Sequence, residues 1–200
     1  MRQYTITAVS GQPNWDTIPQ LQVDNYQWCL PQDITMTAQI CYSPDGLHIH
    51  LKAREKNIRA EHNAPLSMVC EDSCMEFFFR PMEGDMRYFN FEINPNGRTY
   101  IGFGHGIGDL IRLIPSNEDH LFKKKVSYTQ DGWEVYFTFP LSVLRVFFPD
   151  YQLKPGMKIY ANCYKCGDRT VQPHYLSWSL VGGSDESFHA PEYFGEMTLG

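Results

Sequence analysis

Apolar and polar residues alternate with a period of two through most of this 200-residue chain, a pattern that commits it to β-sheet. Over 35–42, Met36, Ala38, Ile40 and Tyr42 fall on one face. An Asp45-Gly46 turn follows, then Leu47, Ile49 and Leu51 continue that face and leave His48 and His50 on the other. The same pattern predicts strands over 74–80, 87–93, 98–103, 122–129, 133–139, 158–164, 175–179 and 194–199. Turn signals separate them: Pro81-Met82-Glu83-Gly84-Asp85, Asn94-Pro95-Asn96-Gly97 and Asp131-Gly132. Only 141–147, between Pro140 and Pro149, and more weakly 52–57, read as helix. About ten strands with one or two short helices predict an all-β fold, an antiparallel β-sandwich or jelly roll. No repeat or linker divides the chain, so residues 1–200 read as one domain.

Composition narrows the function. The net charge of −6 gives no general affinity for nucleic acid, and the short run Lys123-Lys124-Lys125 reads as a solvated strand edge. No apolar run reaches the roughly 18 residues of a membrane-spanning helix, so no membrane partner is expected. Met1-Arg2-Gln3-Tyr4-Thr5 has no apolar signal core; the chain as written reads as cytoplasmic, or as extracellular or periplasmic if a leader has been trimmed. With 13 Phe, 12 Tyr and 4 Trp, the chain is rich in rings that suit sheets and that stack on flat or ring-shaped ligands. Its 6 cysteines read as reduced thiols, although Cys70 and Cys74 with Cys163 and Cys166 have the residue types of a zinc site.

Carboxylates carry the most chemistry. Glu76 alternates against Met75 and Phe77, while Asn90, Glu92 and Asn94 share a face opposite Phe89, Phe91 and Ile93. If these strands are neighbours, Glu76, Arg80, Asn90 and Glu92 meet on one polar sheet face. Such a face could hydrogen-bond sugar hydroxyls, act as the paired carboxylates of a glycoside hydrolase, or simply be solvated. Glu76 and Glu92 could equally pair with Arg80 and Arg98 as structural ions. Neither a phosphate-cradling glycine loop before a helix nor a serine-hydrolase or zinc-protease motif occurs. His174 and His189 flank the strand that carries Trp178.

The chain resembles the family 9-like carbohydrate-binding modules. The resemblance rests on Asp72-Ser73-Cys74-Met75-Glu76-Phe77-Phe78, on Phe89-x-Phe91-Glu92-Ile93-Asn94-Pro95-Asn96-Gly97 and on Trp133-Glu134-Val135. It continues through Leu176-Ser177-Trp178-Ser179 to Phe188-His189-Ala190-Pro191-Glu192-Tyr193-Phe194-Gly195. It implies a β-sandwich that binds a glucan- or xylan-type sugar or chain end between aromatic rings without turning it over. It also implies calcium-braced loops, although the available acidic residues Asp109, Glu118, Asp119, Asp185 and Glu186 form no calcium-loop signature, and a separate glycan-degrading enzyme as the partner served.

By position, Trp178 matches the stacking tryptophan and Glu76 the hydroxyl-accepting carboxylate, with Arg98 as a charged donor. Asn90, Glu92 and His174 join them as polar candidates. Where family binders often place a second tryptophan, this chain has Val69-Cys70-Glu71, so the opposing ring falls to Tyr164, Tyr100 or Tyr193. A remoter reading is a related sandwich holding haem through a methionine, among Met36, Met68 and Met75, and a histidine; no Cys-x-x-Cys-His motif accompanies it.

Overall fold

The computed structural model describes residues 1–200. In chain order its strands are β1 (Gln3–Ala8), β2 (Leu21–Val23), β3 (Asn25–Tyr26), β4 (Thr35–Ser43), β5 (Gly46–Arg54), β6 (Cys74–Arg80) and β7 (Tyr88–Ile93). There follow β8 (Thr99–Gly104), β9 (Ile111–Arg112), β10 (Lys125–Tyr128), β11 (Gly132–Pro140), β12 (Lys158–Cys166), β13 (Tyr175–Ser177) and β14 (Gly195–Leu199). Helices α1 (Glu118–Phe122) and α2 (Leu141–Phe147) are short.

Strands pair in the order β10-β11-β5-β4-β1-β14-β12-β6-β7-β8-β9, with β2 on β4, and β13 with β3 beside β12. The path curls so that its two halves stack face to face. Phe91 of β7 lies flat on Phe137 of β11 with centroids 4.3 Å apart, and Phe79 meets Phe139 edge-on at 4.9 Å. These rings belong to a buried cluster of 35 residues filled by the inward positions of both halves. Each such Phe stabilises the fold by roughly 1.5–3 kcal/mol through burial.

β1 joins the halves. Its residues Gln3 to Ile6 pair with β14, and Thr7 and Ala8 pair with β4, both in parallel. The sandwich is therefore mixed, where alternation alone predicted an antiparallel one. Hairpins force antiparallel pairing, but β1 reaches both partners from far away in sequence and nothing local sets its direction.

Two expectations for local structure fail for the same reason, tertiary override of propensity. Residues 52–57 were expected as helix, yet β5 runs to Arg54, with Lys52 paired to Thr37 on one side and Glu134 on the other. The strand expected from 122 begins at Lys125; α1 precedes it, capped by the Asn117 side chain and ended by Lys123 in a left-handed conformation. That turn carries Phe122 into the core. It also buries Lys124, whose ammonium lies 3.0 Å from both Glu118 and Asp119, so only part of the lysine run is a solvated edge. At the predicted Asp45-Gly46 hairpin, Gly46 has φ +151 and its Cα faces the Phe139 carbonyl, where a Cβ would stand 2.2 Å from the oxygen.

Candidate functional site: a carboxylate-floored aromatic cavity

The outer face of β12, β6, β7 and β8 is not solvated. Register places Tyr164, Glu76, Glu92 and Tyr100 in one cross-strand row on that face. Around the row a second cluster of 9 buried residues, including Phe78, Tyr88, Tyr164, Phe188 and Phe194, packs beneath the segment leading into β14. A cavity of about 480 Å³ remains open above Glu76, Glu92 and Cys166. Trp28, Tyr175 and Phe188 line it together with Tyr100, and with Ile107 and Leu110 of the β8–β9 hairpin.

The two glutamates stand directly opposite one another, a placement that leaves their Cβ atoms roughly 5 Å apart. They are 3% and 6% exposed. Glu76 accepts from the Cys166 thiol at 2.9 Å and Glu92 from the Asn90 amide at 2.8 Å; the other oxygen of each has no partner in the protein. Desolvation, followed by the charge of Glu92, pushes Glu76 well above the usual carboxyl range. Desolvation likewise raises Glu92 to about 7. Gly102, opposite Asn90, makes this arrangement fit, because a Cβ there would lie 2.4 Å from Asn90 Oδ1.

Trp28 forms the accessible ring. It is half-buried, 5.1 Å from Phe188 and 5.9 Å from Tyr175, and Phe188 in turn stacks on Tyr164 at 4.1 Å. Its φ of 51 puts a bulky residue in the left-handed region, at a cost of order 1 kcal/mol or more. Such strain persists only where the surroundings hold the residue in place. Nothing in the local sequence around Trp28 marked it; its role comes from contacts with residues about 150 positions away.

Of the residues expected from sequence, the cavity brings together Glu76, Glu92 and Tyr100, with Asn90 behind Glu92. Tyr164 is buried beneath Phe188 and donates to its carbonyl. Trp178 is only 3% exposed and belongs to the main core, its ring lying on Gly195 where a Cβ would come within 2.3 Å. It presents no face to a ligand. Arg98 points to a separate depression beside Leu66, Thr99 and Glu118. His174 is fully buried, with Nε2 2.7 Å from Lys165 Nζ; desolvation and then the Lys165 charge lower it to about 4. It belongs to a buried network in which Lys165 meets Glu55 at 3.0 Å and Ser73 donates to Glu55.

The metal readings meet the geometry unevenly. The four cysteines do not converge: Cys163 faces the main core, whereas Cys74 and Cys166 face the outer cluster. Cys74, Glu76 and Cys166 do bring ligand atoms within 4.8 Å of one another. Burial lifts the Cys74 thiol to about 12, and the Cys166 thiol donates to Glu76. No three of the acidic residues suggested for calcium gather in one place; Glu118 and Asp119 hold Lys124, and Asp109 holds His105. Met36 and Met75 sit in the core cluster, which contains no histidine.

A second cavity, of about 650 Å³, lies over β5 and β11 on the opposite sheet beside Trp15 and Tyr136. Its polar groups are mutually satisfied: His48 bridges Ser43 and Thr138, and His50 bridges Gln39 and Glu134. In the first cavity, by contrast, Glu76 and Glu92 each accept one hydrogen bond, through one carboxyl oxygen.

Known proteins agree with this architecture. A crystal structure of a candidate carbohydrate-binding protein from Bacteroides uniformis superposes with a TM-score of 0.83 at 27% identity, covering 100% of this chain and 99% of that one. A family 9 carbohydrate-binding module from Caldicellulosiruptor kristjanssonii in complex with glucose gives 0.68 at 11% identity, over 100% and 96% of the two chains. The same organism's module in complex with cellotriose gives 0.67 at 12%, over 99% and 93%. No curated protein matches the chain. Low identity makes the last two structures evidence of shared fold alone, but the family model for carbohydrate-binding family 9 aligns with residues 8–199, nearly end to end. On that match, the chain belongs to carbohydrate-binding family 9.

Proposed function

We propose that this chain is a non-catalytic carbohydrate-binding module that takes a pyranose ring, from a glucan- or xylan-type oligosaccharide or chain end, into the cavity above Glu76 and Glu92. The observation that carries the reading is Trp28: a half-exposed indole, held in a left-handed backbone at the wall of a cavity whose floor offers unpartnered carboxyl oxygens. A sugar has an apolar C–H face that gains by stacking on an indole, and hydroxyls that need fixed partners once out of water. The family, and the glucose and cellotriose bound by its modules of the same fold, support this class of ligand.

Glycoside hydrolysis is the competing reading, favoured by one feature: burial raises both carboxyls, Glu76 well above the usual range and Glu92 to about 7. Against it, the two carboxyls rise side by side from adjacent strands of one floor. A glycosidase pair has to flank the scissile bond.

Calorimetric titration with glucose and cellotriose tests the proposal. Saturable binding without product, weakened at least tenfold in Trp28→Ala, is the expected result. A folded protein that binds neither sugar, a Trp28→Ala variant that binds as tightly as the parent, or release of glucose from cellotriose would overturn it.

A further inference from the structure

Resting on that reading, we propose that the sugar this cavity prefers carries a free amine: a hexosamine, or a chain end bearing one, bound as its ammonium form.

The polar lining is lopsided. It contains four carboxyl groups, from Glu76, Glu92, Asp168 and Glu186, and no lysine, arginine, asparagine or glutamine. A sugar hydroxyl both donates and accepts, so a neutral sugar leaves part of a carboxylate-rich lining unmatched. The donors left in the lining are the hydroxyls of Tyr100, Tyr175 and Ser187, the Trp28 indole and the His189 ring, while the nearby amide, guanidinium and ammonium groups are already committed. Asn90 gives its amide to Glu92. The Arg112 guanidinium lies 3.9 Å from the centre of the Tyr100 ring and donates to the carbonyls of Leu66 and Ser67. Lys165 is spent on Glu55, His174 and the Cys166 carbonyl.

An ammonium group is the complementary ligand, since it has three donors and no acceptor. Glu76 and Glu92, each more than nine-tenths buried, offer it one unpartnered oxygen apiece. Trp28, Tyr100, Tyr175 and Phe188 add ring faces to which a desolvated cation is attracted. Arg112 over Tyr100 shows one of these rings already in that use. A bound cation would also relieve the floor, where desolvation holds Glu92 near 7 despite the Arg112 charge nearby.

The test is calorimetry of the intact protein with glucosamine, glucose and N-acetylglucosamine at pH 6.5, in low and in high salt. Glucosamine is expected to bind at least tenfold more tightly than glucose, with an advantage that shrinks as salt rises. N-Acetylglucosamine, which has lost the charge, is expected to show no such advantage. In Glu92→Gln, verified as folded by circular dichroism, glucosamine affinity is expected to fall about tenfold. Glucose bound as tightly as glucosamine would overturn this inference and leave the module reading standing. Failure of every sugar, glucose and cellotriose included, would overturn both.

Discussion

Replacing Glu92 by glutamine should make the protein more stable at alkaline pH and leave it nearly unchanged in acid. Burial raises Glu92 from an ordinary 4.5 to about 7, so the folded state holds this proton more tightly than the unfolded chain does. A raised carboxyl contributes stability that is fully present below the unfolded value and is lost as pH climbs through the folded one. At about 1.4 kcal/mol per pH unit, ionising Glu92 removes about 3 kcal/mol between pH 4.5 and pH 8. Glutamine keeps the oxygen that accepts from Asn90 and has no proton to lose. The wild-type profile alone cannot isolate this, because buried His174 and His189, both lowered to about 4, make stability rise with pH up to their unfolded value of 6.5. Those histidines are common to both proteins and cancel in the difference. Urea unfolding from pH 4.5 to 8.5, followed by fluorescence of buried Trp133 and Trp178, supplies the difference. It should grow from near zero to about 3 kcal/mol in favour of Glu92→Gln, a Tm gain of about 6–12 °C. A flat difference, or one that favours wild type at high pH, would refute the picture of a Glu92 raised by desolvation.

Other substitutions probe the separation of site from scaffold. Trp178→Ala should cost about 3–5 kcal/mol in urea unfolding because it empties part of the main core, while the folded fraction binds glucose as wild type does. Lys165→Met strands the buried carboxylate of Glu55 and should cost about 3–5 kcal/mol, read by the same assay. Gly102→Ala drives a Cβ to 2.4 Å from Asn90 Oδ1, so a loss of about 1–3 kcal/mol is expected from thermal melts.

What local pattern can carry was legible in the sequence. Period-two alternation predicted β6 to the residue, Pro140 and Pro149 bracketed α2, and Asp45-Gly46 marked the β4–β5 hairpin. The facing of Glu76, Asn90 and Glu92 followed from the same periodicity, since side chains two residues apart must share a face of a strand. The ordered motifs from Asp72 to Gly195 pointed to the family that the whole-chain match then showed.

Tertiary structure alone decided the rest, because it depends on which segments meet. No local signal says that β1 runs parallel to both β14 and β4, or that Lys52 is claimed by strands on either side. Trp178 and Trp28 are indistinguishable as residue types; one ring lies on Gly195 inside the core, and the other stands over Phe188 at the cavity wall. Alternation made the outer face of β6 and β7 polar by default, but the segment carrying Phe188 and Phe194 folds across it and takes its carboxyls out of water. Desolvation is a property of what packs above a residue, and for Glu76 and Glu92 the covering residues lie about 100 positions further along the chain.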